Sequence, residues 1–136
     1  MSQSEAVLRP GEPAYEDAVK FAKVLKQAGV DVKGIYSSKL NGFFKGVDRA
    51  AFYTTDKGAF EVIFLPNRGA ENIKVTETRD GKRHVYSFTG QPHPNPPGDT
   101  FNSAEPMYFV AHDNAFIVIT SNKKLFETLM AGLHQN

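Results

Sequence analysis

The sequence predicts an α+β domain, an antiparallel β-meander of about six strands with an N-terminal and a C-terminal helix packed on one face as a two-layer sandwich. Three observations lead to this fold class. One segment near each end of the chain repeats apolar residues at three- and four-residue spacing. Between them, short segments alternate apolar and polar residues, as strands do. Three pairs of these segments are joined by short polar turns, which indicates hairpins.

The first helix is predicted over about Pro13 to Ala28. Its charged residues lie on one side, with acids in the first turn and lysines in the last, which suits the helix dipole. Gly29 can supply the left-handed residue that ends the helix. The residues expected to face the sheet are Ala14, Ala18, Phe21, Ala22, Leu25 and Ala28.

Strands are predicted from Val30 onward. After a short strand over Val30–Ile35, three hairpins follow: Ala50–Thr55 with Ala59–Leu65, Ile73–Thr78 with His84–Thr89, and Met107–Ala111 with Ala115–Thr120. The run Phe116–Ile119 is apolar throughout, which indicates a strand covered on both faces.

The second helix is predicted over about Lys123 to Leu133, with Ser121 or Asn122 as its cap. Its expected buried stripe consists of Leu125, Phe126, Leu129, Met130 and Leu133. With one helix before the strands and one after them, both are expected on the same face of the sheet.

The composition is that of one packed domain. The chain has 136 residues, of which 40% are hydrophobic and 12% aromatic, as in a single globular core. We expect residues 1–12 to form a flexible N-terminal segment, because they are polar and lack periodicity, and residues 13–136 to form the domain. The chain has no cysteine, which excludes disulfides, thiolate zinc sites and cysteine nucleophiles.

The charge of the chain is nearly balanced. Sixteen basic and fifteen acidic residues give a net charge of +1, which disfavours nucleic acid and anionic membranes as partners. No apolar stretch is long enough to span a bilayer, and no signal-like segment follows Met1. We expect a soluble protein, and the sequence leaves open whether it is cytoplasmic or exported with its signal removed.

The segment Gly90–Pro106 carries five of the eight prolines and is predicted to be a long extended connection. Loops of this length are uncommon in compact domains and are often functional. The candidate ligand-binding residues are therefore in this loop and in the turn after a nearby strand: Gln91, His93, Asn95, Asp99, Phe101 and His112. The structural alternative is that the loop only bridges two distant strand ends.

The sequence contains no catalytic motif and predicts no metal site or cofactor. The four histidines are far apart in the chain, unlike the short ligand spacings of zinc sites. His112 and Asp113 are good turn residues between two strands. Lys39–Arg49 mixes cations with aromatics, as single-strand nucleic-acid binders do, but without a net basic groove. An alternative function is a small enzyme or metal-binding protein that uses His84, His93 and His112 near the proline-rich loop.

The apolar residues of the strands exceed what two helices on one face can cover. Either the sheet curls around its own core, or an apolar face remains for a partner or for a second copy of the chain. The leading hypothesis is a non-catalytic binding or protein-interaction domain whose ligand, a small molecule or a protein, is unidentified, and which forms a homodimer through a sheet face. The architecture is similar to that of many small bacterial accessory and ligand-binding domains, which carries little functional weight.

Overall fold

The structure, a computed structural model, describes residues 7–12, 14–38, 50–65, 73–89, 100–113 and 115–133. Its elements, in chain order, are α1 (Tyr15–Gln27), β1 (Val32–Ser37), β2 (Ala50–Thr55), β3 (Gly58–Phe64), β4 (Lys74–Asp80), β5 (Arg83–Thr89), β6 (Thr100–Ser103), β7 (Tyr108–His112), β8 (Phe116–Thr120) and α2 (Lys123–Leu133). The α+β class with a helix at each end of the strand series is confirmed. Within the described ranges, no helix is long and apolar enough to cross a membrane.

The strands form two antiparallel sheets. The larger sheet has five strands in the order β1-β2-β3-β8-β7, and the smaller has three in the order β4-β5-β6. The sequence indicates about six strands in one meander, whereas the described residues form eight strands in two sheets. The difference arises because β3 pairs with β8 and leaves β4, β5 and β6 to form a sheet of their own.

The three predicted hairpins are confirmed, and the structure gives the register of each. Thr55 pairs with Gly58 at the end of β2–β3, Asp80 pairs with Arg83 at the end of β4–β5, and His112 pairs with Phe116 at the end of β7–β8. The β4–β5 turn requires Gly81, whose φ of 65° lies in the left-handed region that side chains disfavour.

Both helices pack on one face of the five-stranded sheet, as predicted. α1 buries Ala18, Phe21 and Leu25, and α2 buries Leu125, Leu129 and Leu133. These side chains share one hydrophobic cluster with Ala51, Tyr53, Phe60, Val62, Phe64 and Val118 of the sheet. The cap predicted for α2 is also present, because Asn122 Oδ1 accepts the N–H of Leu125 at 3.0 Å.

The two helices approach closely at Gly132. A Cβ atom at this position would lie 2.6 Å from the Cβ of Ala28 and 2.8 Å from its carbonyl oxygen. Glycine therefore allows α2 to lie against the last turn of α1, and so closes the helix layer.

The three-stranded sheet covers the other face of the five-stranded sheet. Tyr86 and Phe88 of β5 form a second cluster with Ile63, Ile117 and Ile119. All five residues of β8 are buried, which confirms a strand covered on both faces. The helix layer and the five-stranded sheet correspond to the two predicted layers, and the small sheet adds a third on the face predicted to curl or to need a partner.

Part of the N-terminal segment contacts β1. Val7 forms a bridge with Tyr36, the N–H of Leu8 donates to the carbonyl oxygen of Ile35 at 3.1 Å, and Leu8 is buried in the helix-side cluster. Within the segment predicted to be flexible, these two residues are therefore held against the sheet.

Candidate functional site

The predicted proline-rich loop is shorter than Gly90–Pro106. Thr100–Ser103 forms β6 and pairs with β5, so the prediction of a loop over these four residues was wrong. The strand contains one large apolar residue and no alternation, and it is stabilised by pairing with β5 rather than by a pattern of its own. Phe101 lies opposite Tyr86 in this pairing. The other candidates from the loop, Gln91, His93, Asn95 and Asp99, lie outside the described residues, as does Lys39–Arg49.

His112 lies at the end of β7 on the face that the helices cover. The centroid of its ring is 6.1 Å from that of Phe21 and 6.2 Å from that of Phe116. Asp113 follows in the left-handed conformation with a φ of 51°, as expected for a turn residue. The described contacts therefore place His112 against the end of the helix-side core.

His84 lies on the other side of the five-stranded sheet. It is buried, its Nδ1 is 2.5 Å from Oε2 of Glu77, and its ring stacks on Tyr86 with centroids 6.3 Å apart and planes at 9°. Because the sheet separates His84 from His112, these two cannot bind one metal ion. No group of three or more metal-binding side chains occurs among the residues that the structure describes.

A cleft of about 410 Å³ opens beside β7, the last strand of the five-stranded sheet. It lies between the start of β4 and the side of α2. Two aromatic residues, Tyr108 and Phe126, line it toward the helix layer. The rest of the lining comes from the two strand layers and consists of Ile73, Val75, Met107, Phe109, Ala111 and Ile117.

The alternation of β7 builds this cleft. Phe109 and Ala111 point toward the small sheet and pack against the cluster between the sheets. Tyr108 points the other way and stacks on Phe126 of α2, with ring centroids 5.1 Å apart and planes at 26°. The edge strand therefore supplies side chains to both walls.

The apolar stripe of α2 extends past this edge. The sequence predicts Phe126 and Met130 as buried, but Phe126 is half-buried and Met130 is 39% exposed, so that part of the prediction was wrong. β7 is the last strand, and the described residues place no further strand beneath this side of the helix. Since Phe126 and Met130 are four residues apart, they lie next to each other on one face of α2.

The side chains that line the cleft are uncharged and mostly apolar. The phenol oxygen of Tyr108 is the only side-chain oxygen or nitrogen among its eight lining residues, and none of them carries a carboxylate or an ammonium group. A charged ligand would lose hydration here without meeting a side chain of opposite charge among the lining residues. The volume lies within the roughly 300–1,000 Å³ that small-molecule sites have, so the cleft suits an uncharged apolar group.

A second depression, of about 580 Å³, lies on the opposite side of α2. Its lining includes Lys57, Lys124 and Glu127, and all three are exposed. Lys57 also lies 3.6 Å from the carboxylate of Asp56. Exposed charges of both signs are well hydrated and bind a ligand weakly, so this larger depression is the less suitable site.

Two buried tyrosines fix backbone groups on opposite faces of the five-stranded sheet. On the helix side, the hydroxyl of Tyr53 donates to the carbonyl oxygen of Ala18 at 2.7 Å. Burial raises the pKa of Tyr53 above its ordinary value, and the charge of Asp17 raises it further. On the other side, the hydroxyl of Tyr86 accepts the N–H of Met107 at 2.8 Å. Only Tyr86 is joined by its hydrogen bond to a residue that lines the cleft.

Comparison with known proteins gives no relative: no protein-family model, no curated protein and no solved structure matches the chain. The sequence predicts the ligand site in the proline-rich loop and does not indicate the cleft. The available signal was the excess of apolar residues in the strands together with Phe126 and Met130 on α2, but nothing local in the sequence marks β7 as the edge.

Proposed function

We propose that this chain is a non-catalytic binding domain that takes a small, uncharged apolar molecule in the cleft between β4, β7 and α2. The observation that supports this most is the lining, whose eight side chains are uncharged and apolar apart from the phenol oxygen of Tyr108, and which is open to solvent at the edge of the sheet. Most of the apolar side chains in the strands are covered by one of the two flanking layers. Among the residues that the structure describes, the cleft is a place where that coverage is incomplete.

The binding contribution of such a site comes from apolar area removed from water. About 25 cal/mol is gained per Å² of buried apolar surface, so the affinity should rise with the apolar area that a ligand such as two fused rings or a short hydrocarbon chain buries here. The stacked rings of Tyr108 and Phe126 and the edge of Phe109 offer aromatic contacts to such a ligand.

The test uses the neutral fluorophore N-phenyl-1-naphthylamine, which fluoresces more strongly in an apolar site. We expect saturable binding to the wild-type chain. Ala111→Leu fills part of the cleft and should weaken the affinity roughly tenfold. Ala131→Leu adds the same atoms to an exposed position of α2 in the other depression and should bind as the wild type does.

Thermal unfolding of both variants checks that they are folded. The proposal is wrong if the wild type shows no saturable signal, or if Ala131→Leu weakens binding as much as Ala111→Leu. Sedimentation velocity of the wild type tests the alternative hypothesis of a homodimer. A chain that dimerises and does not bind the fluorophore would use the surface of the cleft to contact a second copy.

A further inference from the structure

Tyr86 lies directly behind the cleft without lining it. It is 3% exposed, and its ring meets that of Phe109 edge-on, with centroids 5.1 Å apart. Its hydroxyl accepts the N–H of Met107 at 2.8 Å. Phe109 and Met107 both line the cleft, so one buried side chain contacts two residues of the wall.

The hydrogen bond to Met107 holds the connection between the two sheets. Residues 104–107 join β6 of the small sheet to β7 of the large one, and Met107 precedes the first residue of the β7–β8 ladder. Its N–H therefore gains from Tyr86 the partner that a ladder would otherwise provide. Because Pro106 has no N–H to donate, the bond at Met107 fixes the chain just where it enters the wall.

Tyr86 is in turn covered by a pair of ionisable residues. The ring of His84 stacks on it, and His84 Nδ1 is hydrogen-bonded to Glu77 Oε2. The side chain of His84 is 11% exposed and that of Glu77 is 44% exposed. Arg79 of β4 and Ser103 of β6 are the register partners of His84, so Glu77 and Arg79 are the charged residues of the adjoining strands on this face. On the five-stranded sheet, Glu61 of β3 pairs with Ile119 of the cluster between the sheets and therefore also faces the small sheet.

We propose that Tyr86 is a positioning residue of the cleft and that the Glu77–His84 pair couples the affinity of the cleft to pH. This inference rests on the proposed binding function. An imidazolium at His84 forms an ion pair with the Glu77 carboxylate, which is stronger than the hydrogen bond that a neutral imidazole donates to it. When His84 is neutral the bond weakens, the ring holds Tyr86 less firmly, and the wall at Met107 and Phe109 loosens.

The first test compares two tyrosines that each hold one backbone group. Tyr86→Phe removes the acceptor for Met107, and Tyr53→Phe removes the donor to Ala18. With N-phenyl-1-naphthylamine as the probe, we expect Tyr86→Phe to bind about three- to tenfold more weakly than the wild type, the equivalent of one hydrogen bond. Tyr53→Phe should bind like the wild type, since its hydroxyl lies on the other face. Equal affinity of Tyr86→Phe and the wild type would overturn the positioning role.

The second test measures the same affinity from pH 5.5 to pH 8, the range in which histidines titrate. The wild-type affinity should fall roughly threefold as the pH rises, because the ion pair of His84 with Glu77 is replaced by a weaker hydrogen bond from a neutral imidazole. Glu77→Gln should bind with little dependence on pH. Glu61→Gln, which alters a carboxylate paired instead with Ser38, should keep the wild-type profile. Parallel profiles for the wild type and Glu77→Gln would overturn the coupling.

The two proposals fail in different ways. If the wild type does not bind the probe at any pH, the binding function itself is wrong. If the wild type binds it in the cleft but Tyr86→Phe and Glu77→Gln behave as the wild type does, only the roles of Tyr86, His84 and Glu77 are wrong. A purely structural role of Tyr86 would lower the unfolding temperature of Tyr86→Phe without changing its affinity when folded.

Discussion

The two faces of the five-stranded sheet are made by the same strands but are closed to different degrees. On the helix side, Phe21, Tyr53, Val62 and Leu129 are all 0% exposed. On the other side, Phe88 and Ile63 are buried as deeply, but the small sheet leaves an open cleft beside β7. Two helices of 13 and 11 residues cover their face, whereas three strands of 7, 7 and 4 residues cover the other face only in part.

The difference separates stability from binding within one small domain. A closed, close-packed core resists any change of volume, so the helix side is suited to hold the fold. An apolar wall that remains in contact with water gains free energy when a ligand covers it. The two buried tyrosines differ in the same way. Tyr53 fixes α1 to the sheet, and Tyr86 fixes the wall of the cleft.

The largest expected effect comes from deleting side-chain volume on the closed face. Leu129→Ala should lower the free energy of unfolding by about 2–5 kcal/mol, because it leaves a cavity in a packed core. Met107→Ala on the half-open face should cost only about 1 kcal/mol, since water already reaches that wall. Urea denaturation followed by circular dichroism measures both. Equal losses would show that the two faces do not differ in packing.

An intermediate effect concerns the ionisation of Tyr53. The folded state raises the pKa of this phenol above its ordinary value of 10.0, so the neutral form contributes its full stability below pH 10 and that stability is lost as the pH rises further. Tyr53→Phe should cost about 1 kcal/mol at neutral pH through its lost hydrogen bond. Between pH 10 and pH 11.5, the free energy of unfolding of Tyr53→Phe should also fall less steeply with pH than that of the wild type. If the free energy of unfolding falls equally steeply with pH for both proteins in this range, Tyr53 ionises without opening the helix-side core.

The smallest effect is expected in the exposed turn between β2 and β3, outside both hydrophobic clusters. The N–H of Asp31 donates to Asp56 at 2.9 Å, and this bond, helped by Lys57, holds the pKa of the Asp56 carboxyl below its ordinary value of 3.8. A lowered pKa contributes stability above pH 3.8 that is lost as the pH falls through the folded-state value. Asp56→Asn should therefore lose less stability between pH 5 and pH 2 than the wild type. Asp80→Asn, at the end of β4 beside the β4–β5 turn, serves as the control. A steeper loss of stability on acidification in Asp56→Asn than in the wild type would contradict the assignment.

The sequence determines the local elements of this fold more clearly than their arrangement. α2 spans Lys123–Leu133 as predicted, and the continuous apolar run of β8 indicates a strand covered on both sides. The existence of a second sheet could not be predicted, because the pairing of β3 with β8 joins residues more than 50 positions apart. β6 was missed because four residues around Phe101 carry no periodic signal.

The candidate site was harder to predict, because it depends on which strand forms the edge of the sheet. Phe109 and Ala111 have the pattern of ordinary core residues, and only the strand order shows that they lie beside an opening. Met130 has the same helical spacing as the buried leucines of α2. Met130 is exposed because the sheet ends beneath it, and no local pattern in the sequence indicates where the sheet ends.

The most direct test of the account is methyl NMR of the chain during titration with N-phenyl-1-naphthylamine. We predict that the methyl signals of Ile73, Val75, Ala111 and Ile117 shift progressively and saturate together, while those of Val62 and Leu129 on the closed face stay in place. Shifts at Leu125 and Ala131 instead would place binding in the other depression of α2. Shifts on the closed face, or none at all, would contradict the assignment of the half-open face as the binding site.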